Sequence, residues 1–206
     1  MRTILLFVFA WGCSALAVAA GDAAAGQAKS QTCAACHGAD GLAVAANYPN
    51  LAGQSERYLL RQLKMIKSKV RDAPLMAGQL DAMTDTDLAN LAAYFSSKTP
   101  KVAKAPDRPD DLLVGEHLYR GGSLTKQVSA CTACHSPMGN GNRPAGFPML
   151  RGQSMEYVVA QLTAYREGRR KTDEDYGGMM RMVAGRLTDN EIRALASYVQ
   201  GLTIGE

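Results

Sequence analysis

Hydrophobic residues recur at helical spacing along much of the chain. Leu59, Leu63 and Ile66 follow one another at intervals of four and three residues. Leu88 and Leu91 begin a similar run. These intervals place apolar side chains on one face of an α-helix, whereas a half-buried β-strand needs a strict apolar/polar alternation, which we do not find. The pattern therefore predicts an all-α fold.

Two of the predicted helices carry a start signal. Thr84 is followed three residues later by Asp87, and Thr188 in the same way by Glu191. In a capping box the Thr hydroxyl and the carboxylate three residues on satisfy free amides at the beginning of a helix. We therefore expect helices to begin directly after Thr84 and Thr188.

The chain contains two copies of one module. The segment Cys33–His37 (CAACH) matches Cys131–His135 (CTACH), and each is followed by a Pro-x-Leu-x-Gly-Gln-Ser segment that begins at Pro49 or Pro148. Such an internal repeat predicts two similar domains in tandem. Other matched pairs are Tyr48 and Phe147, Tyr58 and Tyr157, Gln62 and Gln161, Leu63 and Leu162, Tyr94 and Tyr198.

A segment between the two copies separates the domains. Residues 99–109 include three prolines and few apolar side chains, a composition that opposes helix formation and is typical of a linker. The predicted organisation is a signal peptide at 1–20, a first domain at 21–98, the linker at 99–109 and a second domain at 110–206.

The first residues are typical of an export signal. Arg2 precedes a short apolar run, Ile4–Trp11, and the small residues Ala17–Ala20 form a cleavage site before Gly21. A retained membrane anchor would need about 20 uninterrupted apolar residues, and the short run with Trp11 disfavours lipid attachment at Cys13. We expect a soluble periplasmic protein that begins near Gly21 and lacks Cys13.

Composition excludes one class of partner and favours a buried cofactor. The net charge of +4, one unit lower without Arg2, is too small to indicate nucleic-acid binding. Each module is small for a self-supporting core, and aromatic residues make up only 6% of the chain. A buried macrocycle would supply apolar volume to each domain.

The repeated Cys-x-x-Cys-His motif indicates covalent haem. In an oxidising compartment paired cysteines would ordinarily predict disulfides, but a histidine directly after each pair can ligate haem iron while the thiols bond to the vinyl groups. The pairs lie too far apart for a zinc ribbon, and no strand-helix-strand pattern supports a thioredoxin-like site. The predicted residues are Cys33, Cys36, Cys131 and Cys134 for attachment of two haem c groups, with His37 and His135 as axial ligands.

The second axial ligand of each iron is predicted to be methionine. The chain has three histidines, and the remaining one, His117, is interpreted as a surface residue of a helix. Met76 precedes Thr84 by the same interval at which Met180 precedes Thr188. This match favours Met76 and Met180 as iron ligands, with Met179 as the competitor of Met180; the other methionines are assigned to packing.

Two further features have alternative interpretations. The carbonyls of Pro49 and Pro148 could accept a hydrogen bond from the ring of His37 or His135, or the prolines could simply turn the loop. A basic run in the first module is interpreted chiefly as a solvated helix face, with haem propionates or an acidic partner as the alternative. It comprises Arg57, Arg61, Lys64, Lys67, Lys69 and Arg71.

Together these motifs resemble the di-haem cytochrome c4 family of bacteria. They are Cys33–Gly41, Pro49–Gln54, the Met76 segment, Phe147-Pro148, Gly152-Gln153 and Met180-Arg181. The resemblance implies two tandem class-I-type cytochrome c domains related by a pseudo-twofold axis, each with His/Met ligation and with the haems close enough to exchange electrons. It also implies respiratory electron transfer from a quinol-oxidising complex toward a terminal oxidase, with possible peripheral association with the inner membrane.

Two other function classes remain as alternatives to an electron carrier. A di-haem peroxidase needs an iron that peroxide can reach, and the matched methionines would close both sites. A haem-based gas sensor or haem-delivery protein would also need an accessible iron. Rapid turnover of hydrogen peroxide would favour the enzyme, and rapid binding of carbon monoxide without ligand displacement would favour the sensor.

Overall fold

The computed structural model describes residues 21–101, 103–106 and 109–202; the predicted signal peptide lies outside them. Over these residues the chain is helical, with isolated antiparallel bridges and no strand, which confirms the all-α prediction. No described helix is both long and apolar enough to cross a membrane. The α-helices are α1 (Ala23–Lys29), α2 (Ala34–His37), α3 (Glu56–Lys67), α4 (Asp85–Ser96), α5 (Pro109–Gly121), α6 (Thr132–His135), α7 (Met155–Arg166), α8 (Met179–Ala184) and α9 (Asp189–Gln200), and short 3-10 helices cover Ser30–Cys33, Pro74–Met76 and Glu174–Tyr176.

The two modules fold in the same way. In the first domain α4 packs against α1 and α3, and in the second α9 packs against α5 and α7. The first core contains Leu59 and Leu91, as the helical periodicity predicted, and the second core contains Ile192 and Leu195. The repeat in sequence is therefore a repeat in structure.

A glycine lies at the crossing of the first and last helices of each domain. A Cβ added to Gly26 would lie 2.0 Å from the carbonyl oxygen of Asn90, and one added to Gly115 would lie 2.2 Å from that of Ala194. Because both neighbours are backbone atoms, any larger residue would push the helices apart. Each domain therefore needs glycine at this crossing.

Both predicted capping boxes are present. The Thr84 hydroxyl accepts from the amide of Asp87, whose carboxylate accepts from the amide of Thr84, and Thr188 and Glu191 form the same pair of bonds. The hydrogen bonds from Thr84, with Lys29 adding to them, lower the pKa of Asp87 to about 2. The helices begin at Asp85 and Asp189, directly after the caps as predicted.

Loss of a cap provides a first test of the fold. Replacing Thr188 by Ala should lower the free energy of unfolding by about 1 kcal/mol, because the amide of Glu191 loses its acceptor. The measurement is denaturant unfolding of the haem-loaded protein. Thr125→Ala, at an exposed position, is the control and should stay within about 0.5 kcal/mol of the parent; equal values for the two variants would contradict this role of the cap.

The linker packs against both domains. A Cβ on Gly53 would lie 2.3 Å from the Pro100 ring, and one on Gly152 would lie 2.2 Å from the carbonyl oxygen of Lys101. Both glycines also have positive φ, 68° and 73°, a region that other residues rarely adopt. The last residue of the predicted linker, Pro109, is the first residue of α5, a position at which proline is tolerated.

Two matched arginines join the domains. Nη2 of Arg71 donates to the Tyr157 hydroxyl at 3.0 Å, and Nη2 of Arg170 donates to the Tyr58 hydroxyl at 2.9 Å. Arg170 also donates to Oε1 of Gln62 at 3.1 Å. Each arginine thus reaches a tyrosine of the other domain, and the pairs obey the internal repeat. The two domains are therefore held in a pseudo-twofold arrangement.

Arg61 and Arg71 of the basic run are half-buried and do not lie on the predicted solvated face. Arg57, Lys64 and Lys69 are exposed. Nη1 of Arg57 donates to the carbonyl of Pro144, and the guanidinium of Arg61 lies 4.5 Å from the ring centre of Tyr176. Together with Arg71, these side chains are directed at the second domain. Helical periodicity identifies the side of α3 that faces its own core, but it does not indicate that the polar side is covered by another domain.

Candidate cofactor sites

Each Cys-x-x-Cys-His motif folds into a single turn. Cys33 ends a 3-10 helix and α2 then runs to His37, while in the second domain Cys131 precedes α6, which ends at His135. The four predicted attachment thiols are half-buried and form no disulfide. Burial raises the pKa of the Cys33 thiol, and that of Cys131 to about 11. Each turn therefore presents two unpaired thiols beside an imidazole.

The two histidines have the same hydrogen bond. Nδ1 of His37 lies 3.0 Å from the carbonyl oxygen of Pro49, and Nδ1 of His135 lies 2.9 Å from that of Pro148. A carbonyl oxygen only accepts, so Nδ1 carries the proton and Nε2 keeps its lone pair. This confirms that the proline carbonyls contact the ring nitrogens rather than merely turning the loop.

Burial favours the neutral form of both rings. His37 and His135 are 6% and 7% exposed, and this burial lowers the pKa of each imidazole although the proline carbonyl acts in the opposite direction. Neutral imidazole is the form that binds a metal. An aromatic ring lies beside each histidine, with Tyr48 6.1 Å from His37 and Phe147 6.4 Å from His135 between ring centres.

The predicted methionine ligands lie on separate segments that follow α3 and α7. Met76 ends the 3-10 helix Pro74–Met76, and Met180 is the second residue of α8. Both are half-buried, whereas Met179 is 37% exposed. Among the remaining candidates, Met83 packs against the first core, as expected for a residue used in packing. His117 is exposed, as its interpretation as a surface residue required.

An ion pair between a buried carboxylate and a partly exposed arginine supports the methionine segment of the second domain. Asp173 is 4% exposed, and its carboxylate accepts from the guanidinium of Arg181 at 2.8 Å and from the Arg181 amide at 2.9 Å. Arg181 directly follows Met180, so this bond fixes the backbone next to the candidate ligand. The sequence analysis did not identify Asp173. The only indication was Arg181, which follows Met180, whereas Ala77 occupies the matched position after Met76.

The boundary between the domains has a concentrated positive charge. Arg61 has two buried nitrogens, Nε and Nη1, without a hydrogen-bond partner among the described residues. Although burial alone would raise the pKa of Tyr58, the cations of Arg170, Arg71 and Arg61 lower it. Buried cations are stabilised by anionic partners, and a haem brings two carboxylates. Unpaired thiols, neutral imidazoles and this charge all fit haem c.

Comparisons with known proteins identify the family. The cytochrome c family model matches residues 23–99 and 120–203. The chain is 48% identical to cytochrome c4 of Azotobacter vinelandii, over 98% of this chain and 99% of the relative. The crystal structure of reduced recombinant cytochrome c4 from Pseudomonas stutzeri superposes with a TM-score of 0.86 at 49% identity, covering 89% of this chain and all of that one.

The chain belongs to the cytochrome c4 family. It is a di-haem electron carrier with two covalently bound haem c groups, one for each Cys-x-x-Cys motif, in two cytochrome c domains. A more distant relative, 36% identical over 85% of this chain and 81% of its own length, is the thiosulfate dehydrogenase electron acceptor of Thiomonas intermedia. The cytochrome c4 relatives thus support an electron carrier rather than an enzyme.

Proposed function

We propose that this carrier works in the periplasm and passes single electrons from a quinol-oxidising complex toward a terminal cytochrome c oxidase through two His/Met-ligated haems. The observation that carries the proposal is the matched contact between each histidine and a proline carbonyl. It leaves Nε2 of His37 and of His135 unprotonated and fixed in direction, as an axial iron ligand must be. Met76 and Met180 are the proposed opposite ligands.

The proposed ligands suit electron transfer and disfavour catalysis. Haem iron supplies a one-electron couple between its ferric and ferrous states. Met76 and Met180 would hold the iron together with the imidazoles, and their thioether sulfur would raise the reduction potential and leave no position for peroxide or a gas. Such a ligand set would favour a carrier over a peroxidase or a gas sensor.

The surrounding residues limit movement of the ligands. The carbonyls of Pro49 and Pro148 hold the imidazoles, and the ion pair of Asp173 with Arg181 holds the backbone beside Met180. A rigid ligand set keeps its geometry when the charge on the iron changes. Little structural rearrangement then accompanies each transfer, which favours rapid exchange with partner proteins.

Replacing Met76 or Met180 by Ala tests the ligand assignment. Each change should lower the reduction potential of one haem and allow that iron to bind carbon monoxide, because the thioether is lost. Redox titration with near-infrared magnetic circular dichroism counts the haems and identifies their ligands in the same experiment. Met182→Ala, at a methionine 57% exposed in the same helix as Met180, is the matched control and should change neither potential.

The competing assignment has a distinct outcome. If Met179 is the ligand, Met179→Ala gives the lowered potential and Met180→Ala does not. Unchanged potentials in the variants of Met76, Met179 and Met180 would remove the His/Met proposal altogether. Rapid peroxide turnover by the unmodified protein would instead support the enzyme alternative.

Export and partners need their own experiments. The haem-loaded protein should be released with the periplasmic fraction, and its mass should correspond to a chain that begins at Gly21 and carries two haems. A cytoplasmic product, or one that retains residues 1–20, would contradict export with cleavage.

Stopped-flow mixing with a quinol-oxidising complex and with a thiosulfate dehydrogenase identifies the electron donor. Faster reduction of the haems by the dehydrogenase would contradict the proposed respiratory role.

A further inference from the structure

Two matched glutamines cross the boundary between the domains and bind backbone atoms of the opposite loop. Oε1 of Gln153 accepts from the amide of Asn50 at 3.0 Å, and its Nε2 donates to the Asn50 carbonyl at 2.6 Å. Gln54 binds Met149 in the same way, with both distances 2.9 Å. Gln54 is 3% exposed and Gln153 is 7% exposed, so the four hydrogen bonds are shielded from water.

Each glutamine binds the peptide group that also binds an axial histidine. The amide of Asn50 and the carbonyl of Pro49 belong to one peptide unit, and that carbonyl accepts from Nδ1 of His37. The chain of bonds therefore runs from the His37 ring through the Pro49–Asn50 peptide to Gln153, which belongs to the other domain. The second site repeats this arrangement with His135, the Pro148–Met149 peptide and Gln54.

Hydrogen bonds in such a chain strengthen one another. When the N–H of a peptide group donates to an acceptor, the carbonyl oxygen of the same peptide group becomes more negative. A hydrogen bond to that oxygen is then stronger by about 10–30%. A stronger bond from Nδ1 to that oxygen places more electron density on the imidazole and makes it a more basic ligand. A more basic ligand stabilises ferric over ferrous iron, so the bond lowers the reduction potential.

We infer that Gln54 and Gln153 are positioning residues that tune the haem of the opposite domain through the peptide bonds following Pro148 and Pro49. The inference rests on the proposed ligation by His37 and His135 and extends it across the domain boundary. Each haem potential then depends on a residue of the other domain, and any shift of one domain against the other changes both potentials.

The test is the pattern of changes in two single variants. Gln153→Met removes the polar atoms at similar length and should raise the potential of the first-domain haem only. Gln54→Met should raise that of the second-domain haem only. We expect a two- to threefold change in the redox equilibrium of the affected haem, about 18–28 mV at 59 mV per tenfold change. The Met76→Ala and Met180→Ala variants assign each potential to its domain.

A second readout separates tuning from packing. The Nδ1–H resonances of His37 and His135 in the reduced protein report the strength of the bonds to the proline carbonyls. Gln153→Met should move the His37 resonance upfield and leave that of His135 in place.

Ser154→Ala is the matched control. Ser154 follows Gln153, donates from Oγ to the carbonyl of Ala46 in the first domain, and caps α7 by accepting from the amide of Tyr157. Its loss should reduce stability but leave both potentials and both histidine resonances unchanged. An equal effect of Ser154→Ala and Gln153→Met on the potentials would mean that only the packing of the interface matters.

Failure of this inference differs from failure of the proposed ligation. Glutamine variants that alter the haem of their own domain, or that alter neither potential, would overturn the cross-domain tuning while the histidines keep the ring-current shifts of axial ligands. Histidine resonances without those shifts in the parent protein would instead overturn the ligation itself. Gln54→Met and Gln153→Met are independent, so poor folding of one leaves the other as a test.

Discussion

Replacing Gly115 by Ala is expected to lower the free energy of unfolding of the second domain by about 3 kcal/mol. The new Cβ would lie 2.2 Å from the carbonyl oxygen of Ala194 and 2.8 Å from Cβ of Tyr198. Neither neighbour is the end of a flexible side chain, so α5 and α9 must separate. Denaturant unfolding of the haem-loaded protein, followed by helical circular dichroism, measures the loss.

Gly121→Ala is the matched control for this change. Gly121 ends the same helix, and its added Cβ would meet only the His117 ring, at 4.0 Å. Its φ is not positive, so alanine fits without strain and reduces the entropy of the unfolded chain. A gain of up to about 1 kcal/mol is expected. A comparable loss in both variants would show that the general intolerance of α5 to substitution, rather than the helix crossing, causes the effect at Gly115.

Replacing Arg170 by Met is expected to cost about 3 kcal/mol and to weaken the contact between the domains. Arg170 is 6% exposed and donates across the boundary to the Tyr58 hydroxyl and to Gln62. Within its own domain it donates to Gln161 and Thr172. Methionine fills the space but leaves buried polar groups without this donor, at about 1–3 kcal/mol for each group left unpaired.

The neighbouring arginine gives a control of the same residue type. Arg169 pairs with Glu167 at the surface, where its side chain is 58% exposed. Exposed pairs of this kind contribute about 0–1 kcal/mol, so Arg169→Met should change the free energy of unfolding by about 0.5 kcal/mol. Calorimetry of the haem-loaded variants provides the comparison. Similar losses for Arg169→Met and Arg170→Met would contradict a special role for the buried arginine.

Local chemistry could be predicted from the sequence because it depends on residues close together in the chain. The capping boxes at Thr84 and Thr188 need only two side chains three positions apart. The turn from Cys33 to His37 is likewise local, and the contact of His37 with Pro49 spans a short loop. The internal repeat supported each of these predictions, because a pattern that occurs in both modules is seldom accidental.

The boundary between the domains could not be predicted, because its contacts join residues about a hundred positions apart. The polar side of α3 has the composition of a solvated surface, and the sequence does not indicate that Arg61 and Arg71 lie against the second domain. Gln54 and Gln153 were recognised as matched positions, but their partners are backbone atoms, which every residue has. The amino-acid types at the partner positions therefore do not indicate that these contacts exist.

The backbone contacts of the two glutamines have a consequence for how the halves of the protein can diverge. Gln153 binds main-chain atoms of Asn50, and Gln54 binds those of Met149. The same contact therefore forms with asparagine in one half and with methionine in the other. After a duplication, a substitution at Met149 leaves the bonds of Gln54 in place, whereas one at Asn50 also removes the bond from its Nδ2 to the Gly152 carbonyl. Each half can then acquire its own surface and its own partners while the distance between the redox centres is preserved.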